Sequence, residues 1–308
     1  MTIARSQQIS LEHTPYYHCT SRCVRRAFLC GKDHFSGKDY AHRRQWIEDR
    51  LAFLAEVFAI DLLAYAIMEN HYHVVVRING EEAATWTGDE VRERWGSLYP
   101  RSAEALTETP INLWRERLLS LSWFMRCINE PLARYANRED ECKGRFWEGR
   151  FKSQALLDES ALLKCMCYVD LNPVRAAIAQ TPESSHYTSI KARIDSRHKH
   201  LLGFNSGAHQ EGTSIPIRWL DYLKLVDWTG MELQRGKRGA IPADLPPILA
   251  RLGAEPDYWV QEMQHYGRWY YRAVGSAHTL QKYCEHLGQK WLKAATKFQT
   301  SRACFRCA

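Results

Sequence analysis

Two β-rich runs, LLAYAIM (Leu62–Met68) and HYHVVVRI (His71–Ile78), are separated only by Glu69 and Asn70. A two-residue connection leaves an antiparallel hairpin as the arrangement for them. The second run opens with His71-Tyr72-His73. Side chains alternate across a strand, so His71 and His73 project from one face and Tyr72 from the other. Phe, Val or Leu is the usual occupant of a face that packs against helices. Two histidines followed by Val75 on that face point to a site at the edge of a core. Two imidazoles spaced like this can converge on one divalent cation. A pair of polar surface histidines gives the same pattern.

Around the hairpin the periodicity predicts a strand at Tyr16–Arg22 and an amphipathic helix over Asp39–Phe58, with Ile47, Leu51, Leu54 and Phe58 on one stripe. Residues 79–110 read as an insertion with one short helix. Asn112–Ala136 reads as a helix with Trp114, Leu118, Leu121 and Met125 aligned. Phe151–Leu157 is a candidate fourth strand, and Asp158 is a good N-cap for the next helix. The order β-α-β-β-α-β plus a helix is that of an α+β, ferredoxin-like split βαβ domain. The polar stretch 196–215 is expected to be a linker. It divides a domain at 1–195 from an appended small basic helical domain at 216–308.

On the helix after Asp158, Leu162, Cys165, Met166 and Val169 form an apolar stripe. Lys164, Tyr168 and Asn172 recur at i, i+4, i+8 on a different face. A half-buried tyrosine ring and an Asn C-cap would explain the last two without chemistry. Pro173 limits helical continuation at this point.

Of 308 residues 45% are hydrophobic and 25% charged, globular proportions that exclude wholesale disorder. No apolar run is long enough for a membrane span and the N-terminus lacks a signal-peptide core, so a cytoplasmic location is expected. Residues 1–215 carry 28 Lys+Arg against 27 Asp+Glu, whereas 216–308 carry 14 against 8. That asymmetry, with no acidic residue after Glu285, points to an anionic partner, nucleic acid first. The ten cysteines do not form a disulfide framework. Cys304 and Cys307 make a CxxC that would need two more ligands to hold zinc.

The segments MENHYHVVVRI, GRFWEGRFKSQ and CYVDLNPVRAAI resemble signature blocks of single-tyrosine HUH transposases, and are most similar to those of the REP-associated tyrosine transposases. The resemblance runs from about Tyr16 to Lys191, a little over half the chain. It implies an enzyme that cleaves and rejoins single-stranded DNA at palindromic hairpin repeats through a 5′-phosphotyrosine intermediate. It implies Tyr168 as nucleophile, His71, His73 and Asn172 as metal ligands, and Mg²⁺ or Mn²⁺ as cofactor. Asp170 is left as bystander, ligand or base. No nucleotide cofactor and no membrane is implied, and the chain is expected as monomer or homodimer. DNA contacts are expected from Arg22, Arg25, Arg26, Arg145, Trp147, Arg150, Lys152 and Lys164, arginine on phosphate and an aromatic ring on an unpaired base. Two other readings stand beside this one. The first is a sequence-specific DNA-binding protein of the same fold without turnover. The second is a metal-dependent hydrolase using His71, His73 and a carboxylate such as Glu69 or Asp170.

Overall fold

The computed structural model describes residues 8–24, 29–33, 37–100, 110–206, 214–235, 245–289, 291–293 and 304–306. In chain order these form β1 (Tyr16–Arg22), α1 (Arg43–Val57), β2 (Ile60–Ile67), β3 (His71–Ile78), α2 (Gly80–Thr85), α3 (Gly88–Leu98), α4 (Ile111–Leu118), α5 (Leu121–Glu139) and β4 (Lys152–Leu156). Then follow α6 (Glu159–Asp170), α7 (Asn172–Arg175), α8 (Ser189–Ile194), α9 (Trp219–Arg235), α10 (Leu245–Arg251), α11 (Pro256–Trp269), β5 (Ala273–Val274), α12 (Ala277–His286), and the paired strands β6 (Trp291–Lys293) and β7 (Cys304–Arg306). The architecture is α+β. Its five-stranded mixed sheet has the order β2-β3-β1-β4-β5, antiparallel except for the β4–β5 edge.

The hairpin forms as expected, closed by Met68 N–H donating to the His71 carbonyl at 2.9 Å. Strand parity then sorts the side chains. Tyr17, Cys19, Tyr65, Tyr72, Val74 and Val76 join one buried cluster with residues of α1 and α5, among them Leu51, Leu54, Phe124 and Ile128. Leu63, Ala64, Ala66 and Val75 join another, with α6, α9 and α11. A register shift between Leu62 and Ala64 places Leu63 and Ala64 on the same side, as a β-bulge does.

Asp158 caps α6, its carboxylate accepting from Ala161 N–H at 2.9 Å. Every residue of that helix from Ala161 to Asp170 except Lys164 is buried. A helix apolar nearly all round needs cover on every side. The sheet supplies one side and the C-terminal helices the other, through Tyr222, Val226, Trp259, Met263 and Tyr266. The described residues between 216 and 286 are therefore not an appended unit: they complete the core around α6 and add β5 to the sheet. Residues 196–206 and 214–215 are not a free linker either. Leu202 N–H donates to the Leu62 carbonyl at 2.8 Å, Ile215 is fully buried, and Phe204 bridges to Ile215.

Two other expectations change. Among its described residues the 79–110 insertion carries two helices, the second with a capping box between Thr87 and Glu90. The helix expected at 112–136 is broken, because the Ser120 side chain accepts from Trp123 N–H and starts α5 afresh. All four residues of its stripe are buried nonetheless. Cys307 lies outside the described residues. No helix among the described residues is long and apolar enough to cross a membrane.

Candidate active site

Register puts Thr20 of β1 opposite His73 of β3, and Arg22 opposite His71. His18, Thr20 and Arg22 therefore share the sheet face of the two predicted histidines. Together with Lys152, Ser153 and Gln154 of β4, Glu148 to Arg150 before it, Tyr168 of α6, and Tyr266, Gly267, Tyr270 and Tyr271 from the end of α11, they line a cavity of about 490 Å³. The His71 and His73 rings are 4.9 Å apart, and the Tyr168 ring is 5.8 Å from His73.

The protonation pattern of the histidines follows from their partners. Gln154 Oε1 accepts from Tyr266 Oη at 3.0 Å and faces His18 Nδ1 at 3.2 Å. A carbonyl oxygen cannot donate, so His18 carries its proton on Nδ1. Its Nε2 is then an acceptor, and it faces His73 Nδ1 at 2.8 Å. His73 must carry its proton there, which leaves a lone pair on His73 Nε2. That atom is buried and has no hydrogen-bond partner. His71 reaches the same state independently, since its Nδ1 lies 2.5 Å from Asn70 Oδ1. Both imidazoles thus hold Nε2 ready as a ligand and use Nδ1 to fix the ring, the usual arrangement around a bound cation.

Burial keeps all three rings neutral. It lowers His18 to about 4 against a weaker opposing hydrogen bond from Gln154. Burial, then the charge of Arg22 and the cost of charging it beside His18, lowers His71 to about 4. His73 is held well below the ordinary histidine range by burial and then by His18, His71, Arg175 and Arg22. Neutral imidazole is the form that binds a metal. The donor set therefore fits a divalent cation at the His71–His73 pair.

Tyr168 is stacked on Tyr266 at 4.4 Å, and the Arg175 guanidinium lies 4.6 Å above its ring. A Cβ at residue 267 would meet Tyr168 Oη at 3.3 Å, so Gly267 leaves room over the hydroxyl.

Arg22, Arg150 and Lys152 line the cavity and are exposed, as phosphate contacts require. Arg145 reaches the cavity rim at Gly149. Arg25 and Arg26 lie outside the described residues. Asn172 is buried with Nδ2 unpartnered, but it is not among the residues lining the cavity.

Two predicted DNA contacts are corrected. Lys164 is ion-paired with buried Glu262 at 3.0 Å, so its ammonium is engaged inside the protein. Trp147 donates its indole N–H to the Asn129 carbonyl at 2.9 Å and packs on Tyr72, on the face away from the histidines. The exposed aromatic at the cavity is Tyr271, 57% accessible. Asp170 is a structural pin: it accepts from Ser189 Oγ, Ile190 N–H and Tyr222 Oη. Neither it nor Glu69 lines the cavity; the carboxylate that does is Glu148.

Sequence reasoning missed His18, Gln154, Arg175 and Tyr266. The alternation in YYHCTSR carries a signal for His18, which falls on the parity of Thr20 and Arg22. Among the described residues, a separate group able to hold a metal, Glu12, His13 and His286, lies elsewhere.

No family model matches the chain, and no curated protein does. Among solved structures it is similar to one described as a REP-associated tyrosine transposase bound to a REP hairpin. The match has 11% identity and a TM-score of 0.34, and covers 67% of this chain and 93% of that one. At that level the site must be read from this chain's own residues.

Proposed function

We propose that the protein is a metal-dependent transposase that cleaves and rejoins single-stranded DNA at palindromic hairpin repeats through a 5′-phosphotyrosine on Tyr168. The observation that carries this reading is the meeting, in one cavity, of the Tyr168 phenol, two histidines whose Nδ1 atoms are engaged, with His73 Nε2 unpartnered, and three exposed cations. The connectivity β1-α1-β2-β3-α5-β4 with spatial order 2-3-1-4 supports the split βαβ reading of an HUH domain.

His71 and His73 would hold Mg²⁺ or Mn²⁺, with Asn172 one turn beyond Tyr168 as the proposed third ligand. Such an ion, when bound, neutralises charge on a phosphate oxygen. Arg22, Arg150 and Lys152 hold the backbone phosphates, and Tyr271 offers a surface for an unpaired base. Tyr168 Oη attacks phosphorus. One P–O bond forms to tyrosine, the P–O3′ bond breaks, and the leaving oxygen takes up a proton as the 3′-hydroxyl. An unactivated phenol is a poor nucleophile at neutral pH. Arg175 over the ring favours the charge that develops as the phenolic proton departs. Reversal by a 3′-hydroxyl restores a phosphodiester, so no external energy source is needed.

A hydrolase built on Asp170 is disfavoured, because Ser189 Oγ, Ile190 N–H and Tyr222 Oη already occupy its carboxylate. A binding protein without turnover would have no use for a phenol beside two ligand-ready histidines.

The test is a denaturing gel of the full chain incubated with Mn²⁺ and a single-stranded oligonucleotide carrying a hairpin. The expected result is a protein–DNA adduct that survives denaturation and is absent with Tyr168→Phe. An adduct that persists in the Phe variant, or cleavage without any adduct, overturns the assignment.

A further inference from the structure

Residues 8–14 lie against α12. Tyr283 Oη donates to the Gln8 carbonyl at 2.7 Å, and the His13 ring sits edge-on to Tyr283 at 5.7 Å. The segment is held from the other side too: Ser10 N–H donates to Tyr17 Oη at 2.7 Å, and His13 and Thr14 N–H both return to the Ser10 carbonyl. This places His13 against His286, the last residue of α12, with ring centroids 4.5 Å apart. Glu12 completes the group, and one ligand atom from each residue lies within 4.8 Å of the others. The position is beyond the Tyr16 end of β1, whereas His71 pairs with the Arg22 end.

We propose that Glu12, His13 and His286 form a second metal site, for a divalent transition ion of the zinc class, that clips the N-terminal segment to α12. Two imidazoles and a carboxylate are a nitrogen-rich donor set that suits Zn²⁺ and is poor for Mg²⁺ or Ca²⁺, which take oxygen. Three protein ligands leave the fourth position to water. His13 already has the outer partner a ligating histidine uses, because its Nδ1 is 2.9 Å from Ser10 Oγ, which leaves Nε2 for the ion. His286 closes a helix C-terminus, the negative end of the helix dipole, where a cation is stabilised. Tetrahedral ligation at about 2.1 Å brings ligand atoms to roughly 3.4 Å from one another. The exposed Glu12 side chain is free to swing the remaining distance, while the two rings are held by Ser10 and Tyr283. The ion would tie residue 12 to residue 286, and so brace an N-terminal segment against α12. This site stands independently of the proposed chemistry at Tyr168.

Calorimetric titration of Zn²⁺ into the full-length His71→Ala/His73→Ala chain separates the two sites. One equivalent should bind, and His286→Gln or His13→Gln added to that chain should abolish it. Ser10→Ala should weaken binding by about 10–100-fold. Mg²⁺ should give no heat, and Zn²⁺ should raise the melting temperature only of chains that keep all three ligands. His286→Gln in the otherwise unchanged protein should lower stoichiometry by one, which covers misfolding of the double variant. No zinc bound in the double variant when it is folded, or binding indifferent to His286→Gln in either chain, overturns the proposal.

Discussion

The two faces of one sheet are built from alternate residues of the same strands, yet they differ in how their polar groups end. On the α1/α5 face the hydroxyls of Tyr72, Ser21 and Tyr65 each find a protein partner. Tyr72 Oη donates to Asn129 Oδ1, Asn129 Nδ2 donates to Ser21 Oγ, and Tyr65 Oη donates to Glu48. On the α6 face the chain Tyr266–Gln154–His18–His73 runs inward and stops at an unpartnered Nε2. A buried polar atom left without a partner costs about 1–3 kcal/mol, so an open end of this kind marks a place for a ligand. The strand hydroxyls of the first face end on protein partners; the strand relay of the second ends on an imidazole nitrogen that a ligand would complete.

The strongest way to break this comparison is to remove what covers the second face. A chain ending at residue 206 loses Tyr222, Val226, Trp259, Met263 and Tyr266 from the cluster around α6. At about 2 kcal/mol for each buried side chain, that loss matches the whole net stability of about 5–15 kcal/mol typical of a domain. The truncated chain should show no cooperative thermal transition by circular dichroism. A cooperative melt would restore a self-sufficient domain at 1–195.

Much of the first face was legible in the sequence, because it depends on local periodicity. The strands at Tyr16–Arg22 and His71–Ile78, the parity of His71 and His73 against Tyr72, and the Asp158 cap all follow from spacing alone. What spacing does not carry is the partner across the fold. His18 becomes part of the site only through the register that pairs β1 with β3. Lys164 shares a helical row with Tyr168, but its charge is claimed by Glu262, 98 positions away. β5 is two residues long, too short to leave a periodic signal, and the cover it brings was therefore read as a separate domain. GRFWE offers Trp147 to DNA, while the fold hydrogen-bonds it behind the sheet.

Lys164 gives the next largest effect. Lys164→Ala leaves Glu262 buried, with Tyr270 Oη as its remaining partner. Breaking one half of a buried pair costs about 3–5 kcal/mol. Chemical denaturation should show that loss, while the salt dependence of DNA binding should not change. A shallower salt slope with unchanged stability would return Lys164 to the DNA interface.

His18→Phe sharpens the same comparison on the site side. It keeps an aromatic ring in place but removes the nearer partner of His73 Nδ1, leaving only Thr20 Oγ1 at 3.2 Å. Outer partners of metal-ligating histidines are worth about 10–100-fold in metal affinity. Mn²⁺ titration should show a loss in that range, with Gln154→Leu acting in the same direction through the loss of the His18 partner. Nitrogen-15 spectra of the metal-free protein should show a single Nδ1–H form of His73 in the wild type and a mixture in His18→Phe. An unchanged His73 tautomer would sink the relay even if metal affinity fell.

The smallest effect belongs to the exposed cations of the cavity. Arg150 and Lys152 are not ion-paired in any described salt bridge, and both line the cavity. Their proposed task is to displace counterions from phosphates, which is read in the salt dependence of binding rather than in stability. On single-stranded DNA each phosphate contact contributes about 0.7 to the slope of log affinity against log salt. Arg150→Ala and Lys152→Ala should each flatten that slope by about this amount and leave the melting temperature within the change of an ordinary surface substitution, about 0.5 kcal/mol. The pattern is the reverse of that expected for Lys164. Two lysines twelve positions apart, of similar chemistry, would then divide cleanly: Lys164 holds the cover on α6 and Lys152 holds the substrate. If Lys152→Ala leaves the slope untouched, the cavity does not bind the DNA backbone along β4, and the strand path must be sought at Arg22 instead.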